Sequence, residues 1–130
     1  MKDVFESSAI YRIEYELILN IKDFRLKRGW SQRTLSGKMG FAETFVGKCE
    51  AIDQPEKYNL RHLRILKTVF GFSCLDDLFP NGLPDDELIK VKYKKIPKVK
   101  KDGTISKLSD TVVVDIVVVE GGTKIKSNKA

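Results

Sequence analysis

The spacing of apolar residues along the chain changes character near Pro80. Before this point, apolar residues recur every three or four positions, which is the period of a helix that buries one face. After it, apolar and polar residues alternate or β-branched residues follow one another, as they do in strands. The pattern predicts a helical domain over residues 1–80, a linker over 81–87, a β extension over 88–120 and a flexible tail over 121–130.

Five helices are predicted in the helical domain, most of them beginning at a residue whose side chain can cap a helix. The expected starts are Ser7 or Ser8, Ser31, about Ala42, Asn59, and Ser73 with Asp76 as its capping-box partner. The first four helices are expected to end near Gly29, Lys38, Cys49 or Glu50, and Val69, and the short fifth helix at Phe79. Gly40 makes the turn between the second and third helices, because glycine tolerates positive φ.

The β extension is predicted to contain two or three antiparallel strands. Ile89, Val91 and Tyr93 alternate with lysines, as in a half-buried strand. The segment 111–119, TVVVDIVVV, is apolar on both faces of a regular strand apart from Asp115. Regular alternation places Val112, Val114, Ile116 and Val118 on one face, and Val113, Val117 and Val119 with Asp115 on the other. Such a strand needs cover on both sides, so we expect a homodimer interface; pairing with a foreign chain is the alternative.

The net charge of +6 is concentrated in two stretches of the chain. Residues 22–67 contain 11 Lys and Arg against 5 Asp and Glu, and residues 81–130 contain 11 Lys against 7 acids. Two basic zones favour a polyanionic partner. No apolar run of about 18 residues and no secretion signal is visible, so a cytoplasmic protein without membrane contact is expected.

The chain shows no catalytic or metal-binding pattern. Its single histidine, His62, lies beside an apolar stripe, and Cys49 and Cys74 match no metal-ligand spacing. Both thiols are expected to be reduced and mostly buried. Phosphate-binding loops and nucleophile elbows are absent as well, so we expect a protein that is not an enzyme and needs no cofactor or metal.

One series of residues in the helical domain follows a known order. It consists of Arg25, Ser31-Gln32, Leu35-Ser36, Gly40, Val46 and Glu50. This order resembles the lambda-repressor/Cro type of helix-turn-helix family, the XRE-like family, over residues 22–79, with the motif at 31–50. The resemblance implies a mainly α fold, a five-helix DNA-binding domain here followed by the β extension. It also implies sequence-specific binding of double-stranded DNA by a repressor-like transcriptional regulator of prokaryotic or phage type.

The resemblance also implies roles for individual residues. Base-facing positions correspond to Glu43, Thr44, Gly47 and Lys48, and a phosphate contact corresponds to Gln32. A partly buried ion pair corresponds to Arg25 and Glu50. Basic residues around the helix pair are further available to phosphates, namely Arg33, Lys38, Arg61 and Arg64.

Three interpretations stay open at this level. Glu43 either accepts a hydrogen bond from cytosine or stabilises the N-terminus of its helix. Phe45 either touches a thymine methyl group or packs on a neighbouring helix. Finally, the fold also suits an antitoxin-like interaction module, whose C-terminal strands would bind a partner protein instead of a second copy.

Overall fold

A computed structural model describes residues 3–119, with the side chains of 105–109 left aside. The fold is mixed α/β and divides into two compact units. One unit is Tyr11–Asp85; the other combines the residues before it with those after it. The tail predicted at 121–130 lies outside the described residues.

The first unit contains four α-helices and a final turn of 3-10 helix. They are α1 (Arg12–Lys27), α2 (Gln32–Met39), α3 (Phe45–Glu50), α4 (Leu60–Phe70) and the 3-10 turn Leu75–Leu78. The apolar stripes of all these elements meet in one core, whose fully buried members include Ile21, Leu35, Val46, Leu66 and Leu78. The helical period of the sequence therefore predicted part of this core: Ile21 and Leu66 are fully buried, whereas Ile13 and Leu60, at positions of the same predicted stripes, are 45% and 85% exposed.

The prediction of five helices in a mainly α fold was wrong in number and class. The expected fifth helix is the four-residue 3-10 turn, whose N-cap is Cys74 and not Ser73 and whose capping-box partner is Asp77 and not Asp76. The Asp77 carboxylate accepts hydrogen bonds from the backbone N–H groups of Ser73, at 3.1 Å, and Cys74, at 3.4 Å. Four residues are too few to complete the hydrogen bonding of an α-helix.

The start predicted for the first helix was also wrong. The α1 helix begins at Arg12, because the residues before it belong to a sheet. Ser7 does not cap a helix: its backbone N–H donates to the Val91 carbonyl at 2.9 Å, and its hydroxyl accepts from the Val91 N–H at 2.9 Å. The third helix also begins later than predicted, at Phe45, after a turn in which the Phe45 N–H donates to the Ala42 carbonyl.

A four-stranded sheet is formed by β1 (Phe5–Glu6), β2 (Ile10–Tyr11), β3 (Leu88–Val99) and β4 (Ile105–Val118). The β3 strand pairs with each of the other three strands, and it runs antiparallel to β1 and β4. Ile89, Val91 and Tyr93 are buried, as their alternation with lysines predicted. The two antiparallel C-terminal strands expected from the sequence are therefore present.

The β4 strand departs from regular alternation at one position. Asp115 lies opposite Lys92 and Val113 lies opposite Tyr93, so Val114 is an extra residue in a β-bulge. The faces predicted from strict alternation were therefore wrong on one side of the bulge. Val113 shares a face with Ile116, whose partner is Val91, while Val112 shares a face with Asp115.

Within the described part of the chain, no helix is long and apolar enough to cross a membrane.

Candidate nucleic-acid interface

The turn between α2 and α3 is determined by two local signals. The Ser31 hydroxyl caps α2 by accepting from the Thr34 N–H at 3.0 Å. At the other end of α2, Gly40 has φ 82°, and the Phe41 N–H donates back to the Ser36 carbonyl at 3.0 Å. This closure with a left-handed residue ends a helix sharply and favours glycine, so the chain can begin α3 at a steep angle.

Ser36 connects the two helices through its hydroxyl group. The hydroxyl donates to the Gln32 carbonyl at 2.9 Å and accepts from the Val46 N–H at 3.0 Å. Ser36 and Val46 are fully buried. Because Val46 lies in the first turn of α3, where backbone N–H groups lack helical partners, this bond satisfies a buried donor and fixes α3 against α2.

The predicted ion pair is formed and joins α1 to the end of α3. Arg25 donates from Nε and Nη2 to the two Glu50 carboxylate oxygens, each at 2.9 Å, and from Nη1 to the Trp30 carbonyl at 2.9 Å. The side chains of Arg25 and Glu50 are 7% and 4% exposed. A bidentate pair with this burial fixes the angle of α3 as well as its position.

Six of the residues predicted to face DNA line one shallow, open groove on the surface of this helix pair. They are Gln32, Arg33, Glu43, Thr44, Gly47 and Lys48, and Ala51 and Gln54 complete the lining of a depression of about 460 Å³. The sequence analysis missed Ala51 and Gln54, since both lie beyond the motif. The spacing of Gly47 and Ala51, four residues apart at the end of α3, was the signal available for Ala51.

Gln32 lies in the groove but is engaged with the protein. Its amide Nε2 donates to Glu50 Oε1 at 2.9 Å. Its Oε1 lies only 3.1 Å from the point that a Cβ atom on Gly47 would occupy. Gly47 therefore makes room for the Gln32 side chain, which explains why a helix of six residues contains a glycine.

Arg33 and Glu43 pair with each other across the rim of the groove. Arg33 Nη2 donates to Glu43 Oε1 at 2.7 Å, and the two side chains are 74% and 66% exposed. The sequence analysis assigned these residues separately, one to phosphate and one to a base. Their pairing means that the carboxylate does not present an uncompensated negative charge to a polyanion.

The remaining predicted cations differ in their surroundings. Lys38 Nζ lies 4.6 Å from the centre of the Trp30 ring, and the Arg61 guanidinium lies 5.6 Å from the Phe41 ring. Neither residue lines the groove. Lys48, by contrast, is exposed in the groove and has no hydrogen-bond or ion-pair partner among the described residues. Lys48 is therefore the cation most available to a ligand in the groove.

Phe45 is partly buried and packs against the core, which favours the packing interpretation over the thymine contact. Its ring centre lies 4.7 Å from that of Phe41, 4.8 Å from that of His62 and 6.0 Å from that of Tyr58. This aromatic cluster packs against the first turn of α3, beside the face that lines the groove. Rings at these distances and tilted angles contribute beyond the area that they bury.

His62 is a structural residue of the same cluster. Its Nδ1 accepts from the Asn59 N–H at 3.0 Å, while the Asn59 carbonyl oxygen Oδ1 accepts from the His62 N–H at 3.2 Å. The two residues thus form a capping box for α4. Burial, and secondarily the charge of Arg61, lowers the pKa of His62. The imidazole is therefore held in the neutral form that can accept this bond.

The two thiols lie in different environments. Cys49 is fully buried, and burial raises its pKa to about 12. Cys74 is exposed, so the expectation that both thiols are mostly buried was wrong for this residue. Among the described residues, no group of three or more His, Cys, Asp or Glu side chains could hold a metal ion.

Comparisons with protein-family models, with curated proteins and with solved structures found no match to this chain.

Proposed function

We propose that this protein binds double-stranded DNA in a sequence-specific manner through α2 and α3, as a repressor-like transcriptional regulator of prokaryotic or phage type. The α2–α3 pair would act as a lambda-repressor-like helix-turn-helix, with α3 in the major groove. The major groove is about 12 Å wide and admits one α-helix. The single observation that carries the proposal is that Gln32, Arg33, Glu43, Thr44, Gly47 and Lys48 line one exposed groove.

The packing behind the groove supports the same function. A helix that reads bases must be held rigidly, because its contacts depend on hydrogen-bond geometry. Here the Ser36 hydroxyl fixes the start of α3, and the buried pair of Arg25 and Glu50 fixes its end. Ser36, Arg25 and Glu50 do not themselves line the groove, although Gln32 of the lining bonds to Glu50 and to Ser36.

The charge distribution supports binding to a polyanion. The unpaired Lys48 lies in the groove, while Lys38 and Arg61 lie outside its lining. Contacts between lysine or arginine and phosphate release counterions, so affinity should fall steeply with salt. The pairing of Arg33 with Glu43 removes the repulsion that an isolated carboxylate would cause.

Selection of bound sequences from a random duplex library tests the proposal. We expect a defined motif to be enriched, and affinity to fall by orders of magnitude between low and physiological salt if about six or more phosphates are contacted. Lys48→Ala should change the enriched motif as well as the affinity. Lys27→Ala is the matched control, because Lys27 is an exposed lysine that pairs with Asp23 on α1. The absence of binding to every library sequence at 50 mM salt would refute the proposal.

A homodimer interface on the β3–β4 hairpin is a second part of the proposal. Val113 and Val118 lie on the same face of β4 and are 40% and 47% exposed, and among the described residues β3 is the only strand that pairs with β4. A second copy would cover this face, and a two-fold dimer suits a palindromic DNA site whose half-sites lie about 34 Å apart, one turn of DNA. Val113→Lys should dissociate the dimer in sedimentation experiments, and Val99→Lys, near the hairpin turn, is the control.

The same exposed valines favour a second candidate function, an antitoxin-like interaction module. In that case the hairpin would bind a different protein instead of a second copy of this chain. Light scattering of the intact protein with and without duplex DNA separates the two functions. A dimer that gains mass on adding DNA supports the regulator, whereas a monomer that does not respond to DNA supports the interaction module.

A further inference from the structure

Arg33 and Glu43 form a two-residue group with an unusual position. They lie ten residues apart in the chain, on either side of the turn between α2 and α3, and their side chains meet at 2.7 Å. Both line the groove and both are well exposed. An exposed ion pair contributes little to stability, typically below about 1 kcal/mol. The pair is therefore not explained by the stability of the fold.

The pair presents a defined order of hydrogen-bonding groups to solvent. A guanidinium carries five N–H donors, of which one on Nη2 is given to Glu43 Oε1. Two or more parallel donors of Arg33 remain, and the second carboxylate oxygen of Glu43 remains an acceptor. Because the two side chains are joined, the group can offer two donors and, next to them, one acceptor to a single base pair.

This order is complementary to one edge of one type of base pair. In the major groove, a G·C pair presents the N7 and O6 acceptors of guanine, followed by the N4 amino donor of cytosine. An A·T pair presents an acceptor, a donor and an acceptor, and therefore opposes at least one like group. We propose that Arg33 and Glu43 act together to read a single G·C base pair, Arg33 at guanine N7 and O6 and Glu43 at cytosine N4. This inference rests on the proposed function.

The pairing also explains why Arg33 would contact a base. An isolated exposed arginine near a duplex is drawn to phosphate, which carries the negative charge. The Glu43 carboxylate holds the Arg33 guanidinium at the rim of the groove and fixes its orientation. Arg33 is thereby reassigned from the phosphate contact expected from sequence to a specificity-determining residue, and Glu43 keeps its expected base contact.

Base analogues test this inference without altering the protein. In the selected site, each guanine is replaced in turn by 7-deazaguanine, which lacks the N7 acceptor but keeps its Watson–Crick edge. Inosine at the same position is the control, since it keeps N7 and O6 and lacks only the N2 amino group, which faces the minor groove and pairs with cytosine O2. We expect 7-deazaguanine at one position to weaken binding by about 2- to 12-fold, because it removes one of the two hydrogen bonds of a bidentate contact that is worth about 5- to 150-fold.

Protein variants identify which side chain makes the contact. With Arg33→Met, the natural site and the 7-deazaguanine site should bind equally, because the donor to N7 is gone. Glu43→Gln should reduce the preference for G·C over A·T at the same position. Lys27→Met removes a cation from an exposed ion pair on α1, with Asp23, and should leave the 7-deazaguanine effect unchanged.

The outcomes separate this inference from the proposed function. If sites are selected but the 7-deazaguanine effect is absent, or persists undiminished in Arg33→Met, DNA reading stands and the paired reading of G·C is overturned. If no duplex is bound at all, the proposed DNA-binding function and the paired reading of G·C are both refuted. An effect at one guanine that disappears only in Arg33→Met and weakens in Glu43→Gln establishes the pair as the reader.

Discussion

Removing the Glu50 carboxylate tests whether the buried ion pair holds α3 in place. Glu50→Ala leaves the Arg25 guanidinium, whose side chain is 7% exposed, with the Trp30 carbonyl as its remaining partner. Breaking a buried pair on one side costs about 3–5 kcal/mol, because a charge remains buried without compensation. Domains of ordinary stability unfold with about 5–15 kcal/mol, so the variant should lose a large part of its stability.

The double variant Arg25→Met/Glu50→Leu separates the charge from the packing. Replacing both partners by apolar residues of similar volume is often neutral, so we expect a loss of only about 1–2 kcal/mol, mainly from the Trp30 carbonyl left without its donor. The exposed pair of Lys27 and Asp23 supplies the control, since Lys27→Ala should change stability by less than about 0.5 kcal/mol.

Urea unfolding followed by circular dichroism measures all these variants. The midpoints should shift while the slope with denaturant stays constant, which shows that stability has changed and the unfolded state has not. A loss of less than about 1 kcal/mol in the free energy of unfolding of Glu50→Ala would show that the ion pair does not hold α3 in place. An equal loss of stability in the double variant and in Glu50→Ala would also contradict this role of the ion pair, because the loss would then come from packing.

Three further predictions concern other parts of the helical unit. Burial lowers the pKa of His62 in the folded chain, so the stability that neutral His62 contributes should be complete above its unfolded pKa, near 6.5, and lost as the pH falls through its folded pKa. Urea midpoints measured against pH should show this loss for the native chain. They should not show it for His62→Gln, whose side chain can still accept the capping hydrogen bond but does not titrate. A thiol reagent should label Cys74 in the native protein and Cys49 only after unfolding, and mass spectrometry that finds both labelled in native buffer would contradict the burial of Cys49. Gly47→Ala should weaken DNA binding, because the new Cβ would lie 3.1 Å from Gln32 Oε1 and shift the Gln32 side chain by a few tenths of an ångström. Its stability should rise by roughly 0.5–1 kcal/mol through helix propensity, since so small a shift keeps the bond from Gln32 to Glu50; a variant less stable than the native chain would show that this bond is lost.

The helical unit was largely predictable because its signals are local. Ser31, Gly40 and Asn59 cap or end helices as their side chains and backbone freedom dictate, and the apolar period predicted part of the core. The start of α1 was not predictable in this way. Ser7 can cap a helix as well as any serine, but Val91, 84 residues away, supplies hydrogen bonds for both its backbone and its hydroxyl group. The residues next to Ser7 in the sequence therefore do not indicate that it pairs with Val91.

In the candidate groove too, one part was predictable from the sequence and another part was not. The motif predicted the groove residues that lie on α2 and α3 and in the turn before α3, but not Ala51 and Gln54, which follow α3. The mutual contacts of the groove residues were not predictable, since these depend on the angle at which the two helices meet. Arg33 reaches Glu43 and Gln32 reaches Glu50 only because Ser36 allows the close approach of α3. A count of charges therefore overstated how many cations are available.

The extra residue Val114 in β4 has a consequence for the solubility of the protein. Deleting it would preserve the cross-strand pairs on both sides, Lys92 with Asp115 and Tyr93 with Val113, and would give a straighter strand. A flat, valine-rich edge accepts further strands without limit, which is the route to fibrous aggregation. Because a bulge bends its strand and increases the local twist, it makes such open-ended addition unfavourable while still permitting one partner to close the sheet.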